Sequence, residues 1–264
     1  MIGLPTRVEL SDRDLDLLRF MFQVGIADAS QLQRYGFPPG PGSEITAARR
    51  TRRTLDRLVR HGMVTRLDRR LGGVRAGSSG YLYQLGSTGR RVLGIRGRVR
   101  SFEPGARFID HTLAATELHI QLIEAQRQGS LKTLGVAHER ETLRRFVSPS
   151  GIERLRPDLL VEVTTADGWE LRWFVEIDRG TEHLPTVLRK CQTYERYWRS
   201  GGETQHHDVF PRVLWSVPTE RRARAIENAI ASARGLTTDL YRVATSTETV
   251  RSITTNDNLE GGHQ

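Results

Sequence analysis

Cysteine occurs once in the 264 residues, at Cys191, so the chain cannot close an internal disulfide, and a reducing, cytoplasmic setting is the default expectation. Lysine is nearly as scarce: of 40 basic residues only Lys132 and Lys190 are lysines, and the rest are arginine. No run reaches the roughly 20 apolar residues of a membrane span. The first residues, Met1 to Arg7, lack the charged start and apolar core of a secretory signal, so neither a membrane nor an export route is expected. The glycine-rich segment 72–80 is not followed by Gly-Lys-Ser/Thr, which sets aside a nucleotide-binding loop. What remains is 37% hydrophobic, ample for packed cores, over a length that admits one large domain or two ordinary ones.

The net charge of +9 is uneven. Residues 1–107 carry 20 arginines against 9 acids, a surplus of 11, which leaves 20 basic and 22 acidic residues, a deficit of 2, for the remainder. A positive field confined to one part of the chain attracts polyanions, and double-stranded DNA is the expected partner.

Helical spacing organises that basic part. Ser11-x-x-Asp14 is a capping box ahead of Leu15, Leu18 and Phe22, which predicts a helix over 12–24 stopped by Gly25. A short helix over 29–35 turns Leu32 inward, and the Gly- and Pro-rich 36–42 is a loop. A third helix starts after Ser43 and stops at Gly62, with Ala48, Thr51, Leu55, Leu58 and Val59 inward and Arg49, Arg50, Arg53, Arg57 and Arg60 outward. Segments 65–71 and 81–85 read as two strands around a flexible tip that holds Arg75, and 87–93 as a closing helix. The run Leu58 to Val64 resembles the end of the recognition helix in winged-helix proteins. That resemblance implies a winged helix-turn-helix domain over 1–100, with the arginine-studded helix in the major groove and the wing on the backbone. A solvated charged face, or a protein partner for the same fold, is the competing reading.

Segment 94–107 carries Gly, Arg and a Pro without apolar periodicity, so a domain boundary is expected at 100–108. The second domain, 108–245, should open with a helix to about Gln128 that carries Glu117. Strands then follow at 131–139 and, less regularly, 141–146, and a strand, turn and strand over 154–178. A helix over 184–200 with Leu184, Val187, Leu188, Cys191 and Trp198 on its apolar stripe, a strand at 212–217, a helix over 220–234 and a closing strand at 240–244 complete it. Residues 246–264 are polar and expected to be disordered. His206, His207 and Asp208 sit in a polar loop without the spacing of a metal clasp.

The most informative stretch lies inside this domain. Asp158 precedes one apolar run, Glu176 and Asp178 end the next, and Ala166-Asp167-Gly168 between them is a tight hairpin signal. Pairing across that turn brings Asp158 and Glu176 to one edge, where hard carboxylate oxygens suit Mg²⁺ or Mn²⁺. Lys190 on the next helix is a compact ammonium in a chain that otherwise uses arginine, and suits a phosphate. Pro157-Asp158 and Glu176-x-Asp178 resemble the signature of the PD-(D/E)xK restriction-endonuclease-like superfamily. Residues 176–182 with Lys190 and Tyr194 resemble the plasmid replication-relaxation protein family, described as a winged helix joined to such a nuclease-like domain. The resemblance implies an α+β or α/β chain with an αβββαβ core, plasmid or conjugative-element DNA as substrate, and plasmid replication or conjugation proteins as partners. It further implies metal held by Asp158, Glu176 and Glu117, and catalytic roles for Asp158, Glu176, Asp178, Lys190 and Tyr194. Asp178 departs from the pattern, because the last motif position of active members is usually lysine, and Lys190 could replace it from the helix, as migrated lysines do in some relatives of the superfamily.

Two functions therefore stand open at this point. One is a DNA-processing protein that nicks duplex with Mg²⁺ or Mn²⁺. The other is a non-catalytic DNA-binding accessory factor or transcription regulator whose nuclease-like domain serves homodimerisation or partner docking.

Overall fold

A computed structural model describes residues 9–38, 43–67, 81–96, 105–149, 151–203 and 209–255. Among them are eight α-helices and a mixed five-stranded sheet, an α+β architecture divided by contacts into residues 1–116 and 117–264. No helix of the described residues is long and apolar enough to cross a membrane.

In the first unit, helix α1 (Asp12–Val24) begins with the expected capping box, Ser11 and Asp14 each bonding the other's backbone. Gly25 closes it at φ 81°, a left-handed geometry that suits glycine. The chain turns at once into β1 (Ile26–Asp28), a strand the sequence reading missed, and into α2 (Ala29–Gly36), capped by Asp28 and Gln31 in a second capping box. Helix α3 (Glu44–Arg60) follows, then β2 (Val64–Leu67), β3 (Leu82–Leu85) and α4 (Ser87–Val92). Strand β3 lies between β1 and β2 and is antiparallel to both. Leu17, Leu18, Met21, Leu32, Leu55 and Leu58 fill the core. On α3 the buried alanine is Ala47, not Ala48, which with Val59 is only half-buried. Arg75 lies outside the described residues.

Helix α5 (Ala106–Arg127) carries the division by contacts, at Thr116/Glu117. Its first part is tied into the first unit, where the Thr116 hydroxyl donates to the Ile26 carbonyl at 2.9 Å and the Gln31 amide to the Leu113 carbonyl at 3.1 Å.

The second unit is built on the sheet order β10-β9-β8-β7-β4. Strands β4 (Leu131–His138), β7 (Leu159–Thr165) and β8 (Glu170–Ile177) pair antiparallel, and β9 (Arg212–Val217) and β10 (Tyr241–Thr245) join β8 in parallel. Each parallel step carries a helix between its strands, α6 (Leu184–Arg199) and then α7 (Glu220–Ser232). Both pack on the face presenting Leu160, Phe174, Val213 and Trp215. On α6 the buried stripe is Val187, Cys191, Tyr194 and Tyr197, while Trp198, expected inside, is 38% exposed. A separate hairpin, β5 (Arg144–Ser148) and β6 (Gly151–Leu155), fills the connection between β4 and β7. On α5, His119 meets His138 of β4 at 3.0 Å, and burial depresses both imidazoles, to about 4 and about 3.

The disorder expected after 245 does not hold for 249–254, which form helix α8 (Thr249–Thr254). Its buried positions are Thr249, Ser252 and a single apolar residue, Ile253, and Thr249 meets Ser216 at 2.8 Å and donates to the Thr245 carbonyl at 2.9 Å. A hydrogen-bonded polar contact leaves no apolar periodicity for sequence reading to find. His206, His207 and Asp208 lie outside the described residues.

Candidate functional site

The turn Ala166-Asp167-Gly168 does what its composition predicts. Gly168 takes φ 98°, and the Thr165 hydroxyl donates to Asp167 at 2.5 Å. The register that follows sets Leu159 opposite Val175, so Asp158 arrives beside the end of β8. There Asp158 Oδ2 accepts the backbone N–H of Ile177 at 2.7 Å. Glu176 lies on the same face as Phe174, beneath α6. The i, i+4 spacing of Lys190 and Tyr194 presents both side chains to it from one side of the helix.

Glu176 is 1% exposed, and both its oxygens are engaged. Lys190 Nζ donates to Oε2, and the Tyr194 hydroxyl donates to Oε1 at 2.5 Å. Lys190 Nζ also stands 4.0 Å from Asp158 Oδ1, so one ammonium serves two carboxylates. Burial pushes the Glu176 carboxyl up to about 8; Lys190 opposes this and the Asp158 charge adds to it. Burial also works against the Lys190 charge, but Glu176 and Asp158 outweigh it and hold the ammonium above the usual lysine value. Tyr194 is raised well above the ordinary tyrosine value, first by burial and then by Glu176. Cys191, on the same helix, is wholly buried, and burial pushes its thiol up to about 12, which leaves no nucleophile there.

Asp178 goes elsewhere. Its Oδ2 accepts Arg222 Nε of α7 at 2.5 Å, its Oδ1 accepts the Gly180 N–H at 2.8 Å, and Arg222 also donates to the Glu182 carbonyl at 2.7 Å. The position that resembles the family's lysine is thus a buried ion pair fastening the β8–α6 loop to α7. Arg222, 44 residues distant, had no local sequence signal to connect it with Asp178. Glu117 is half-buried on α5 and accepts from the Gln121 amide at 3.2 Å. Among the described residues no three of His, Cys, Asp and Glu gather as a metal-binding group, so Glu117 does not complete a triad with Asp158 and Glu176.

This bears on Mg²⁺ or Mn²⁺. One or two carboxylates plus water is the usual protein share of a Mg²⁺ site, so Asp158 and Glu176 are suitable donors in kind. In arrangement they do not fit. Glu176 is closed from solvent, with an ammonium on one oxygen and a phenol on the other, and its raised pKa favours a proton where a cation needs the charged form.

The first unit presents a different chemistry. Arg49, Arg50, Arg53 and Arg60 are exposed along α3, together with Arg52, which the sequence reading did not single out. Among the described residues none of these five forms an ion pair with an acid. Arg57 differs: it donates to Asp14 Oδ1 at 2.6 Å, with Asp14 only 3% exposed, so it belongs to the α1–α3 contact and not to the outer face. On β2, Arg66 lies over the Tyr81 ring, 3.9 Å from its centroid.

A family model described as replication-relaxation matches residues 18–213. No curated protein and no solved structure matches the chain.

Proposed function

The chain belongs to the replication-relaxation family, and from that premise we propose that it is a DNA-binding accessory protein of plasmid or mobile-element replication and relaxation, which grips duplex without hydrolysing it. The observation that carries this reading is the outer face of α3, where Arg49, Arg50, Arg52 and Arg53 stand exposed and unmatched by acids among the described residues. Guanidinium groups clustered on one helix face suit phosphates and guanine edges. The order α1-β1-α2-α3-β2-β3 supports a winged helix with α3 as its recognition helix.

In the second unit, antiparallel β4, β7 and β8, then α6 and parallel β9, agree with a restriction-endonuclease-like core into which β5–β6 is inserted. We read its Asp158, Glu176, Lys190 and Tyr194 as a closed polar cluster that stabilises this core. Glu176 is saturated, and Asp178 is spent on Arg222.

Metal-assisted nicking is the second reading, favoured by one observation: Lys190 reaches both Glu176 and Asp158, as a phosphate-facing lysine should. It requires the Lys190–Glu176 contact to open. Supercoiled plasmid incubated with the protein and Mg²⁺ or Mn²⁺, beside duplex binding followed by fluorescence anisotropy, separates the two. Binding without nicks supports the accessory role, and nicks abolished by both Asp158→Ala and Glu176→Ala overturn it.

A further inference from the structure

The β5–β6 hairpin presents two unlike faces. Inward, Phe146 and Leu155 are buried in the core against α6, and Glu153 takes a two-pronged contact from Arg196, Nε to Oε1 at 2.8 Å and Nη2 to Oε2 at 2.8 Å. Arg144 is held by Glu203 at 3.0 Å. The ribbon is therefore rigidly fixed from within.

Its outward face carries Arg145, Val147, Ile152 and Arg154. The register sets Arg145 directly opposite Arg154, and Val147 directly opposite Ile152. Both arginines are exposed, and no acidic side chain pairs with either among the described residues. Val147 and Ile152 are 75% and 79% exposed, the two highest values among the exposed large hydrophobic residues. Like charges directly across a ladder repel, and an exposed β-branched pair gains nothing from water. The arginine pair costs this hairpin stability, and the Val147–Ile152 pair, although it packs across the ladder, leaves both side chains largely in water.

We infer that the outer face of the β5–β6 hairpin is a second nucleic-acid contact, with Arg145 and Arg154 on neighbouring phosphates and Val147 and Ile152 against sugars or base edges. The inference rests on the DNA-binding reading proposed above and adds a site in the second unit. Charge selects the occupant. A polyanion converts the cross-strand repulsion into two attractions, whereas a second copy docked symmetrically on this patch would bring four arginines together. A two-stranded ribbon is also of a size that duplex grooves admit.

The test uses the full chain. A photo-crosslinking phenylalanine analogue at position 147 or 152 should join covalently to a bound fluorescent duplex. Arg145→Ala with Arg154→Ala should lower the slope of log affinity against log salt by about 1.8, at about 0.9 per phosphate contact. The melting temperature should hold or rise, because only the repelling pair is removed. Duplex binding that persists with no crosslink and an unchanged slope overturns the hairpin contact while leaving the role of α3 intact. No duplex binding by the unmodified chain overturns both. Binding to phosphatidylserine vesicles that depends on Arg145 and Arg154, in place of duplex, overturns nucleic acid as the occupant.

Discussion

The Lys190 ammonium bonds directly to Glu176 Oε2 across the α6–sheet interface, and the acid it neutralises is 1% exposed. Removing one partner of such a pair leaves the other buried without compensation, at a cost of about 3–5 kcal/mol. Lys190→Met should therefore lower stability by that order in urea unfolding above about pH 8, and by less at neutral pH, where burial lets Glu176 hold a proton. Replacing both partners, Lys190→Met with Glu176→Leu, should recover a large part of the loss, because an apolar pair carries no desolvation penalty. A double variant as unstable as the sum of the singles would show that the contact is not a coupled pair.

The same carboxyl sets a pH dependence. Glu176 rises from an ordinary 4.5 to about 8 in the folded chain, so between those values the native state holds a proton that the unfolded state has released. This contribution is full below the lower value and declines as pH climbs through the upper one. Glu176→Gln, a neutral mimic of the protonated form, should flatten the fall in melting temperature between pH 5 and 8, taken as about the span of that titration. A profile parallel to that of the parent chain would argue against a protonated Glu176.

Arg57 and its neighbours on α3 should separate by assay. Arg57→Ala breaks the bond to buried Asp14 and should destabilise by about 1–3 kcal/mol with little direct effect on phosphate contacts. Burial opposes the Asp14 charge, but the Arg57 and Ser11 hydrogen bonds outweigh it and hold the carboxyl below its ordinary value. Its contribution is therefore present at neutral pH and lost as pH falls through that lowered value. Stability that stays unchanged in the variant, with duplex affinity lost instead, would return Arg57 to the outer face.

Gly89 offers a test of the first unit's packing. A Cβ there would drive into the Met63 carbonyl oxygen, at a separation no real side chain tolerates, because α4 crosses the start of β2 closely. Gly89→Ala should cost at least about 1–3 kcal/mol as an overpacking change, visible as a lower melting temperature. An unaltered melting temperature would mean that α4 sits farther from β2.

Much of this was legible because local signals and burial agree. The Ser11–Asp14 capping box, the apolar strands β7 and β8 around Asp167-Gly168, and the spacing of Lys190 and Tyr194 all report residues close in sequence. What escaped depends on distance along the chain or on very short elements. Strand β1 has three residues and follows a helix whose apolar spacing runs on into Ile26, so only Gly25 marks the change. The pairs Arg57–Asp14 and Arg222–Asp178 join residues 43 and 44 positions apart, and each takes a charged residue out of the role its neighbours suggested. Helix α8 buries Thr249 and Ser252 beside one apolar residue, Ile253, too little for an apolar period to show.

A salt titration tests most directly whether α3 holds duplex DNA through its exposed arginines. Duplex affinity is measured across a range of salt concentrations for the parent chain and for the triple variant Arg49→Ala, Arg50→Ala, Arg53→Ala. Three lost phosphate contacts predict weaker binding at every salt concentration and a log–log slope shallower by about 2.7. Equal affinity and equal slope in the two proteins would contradict the account.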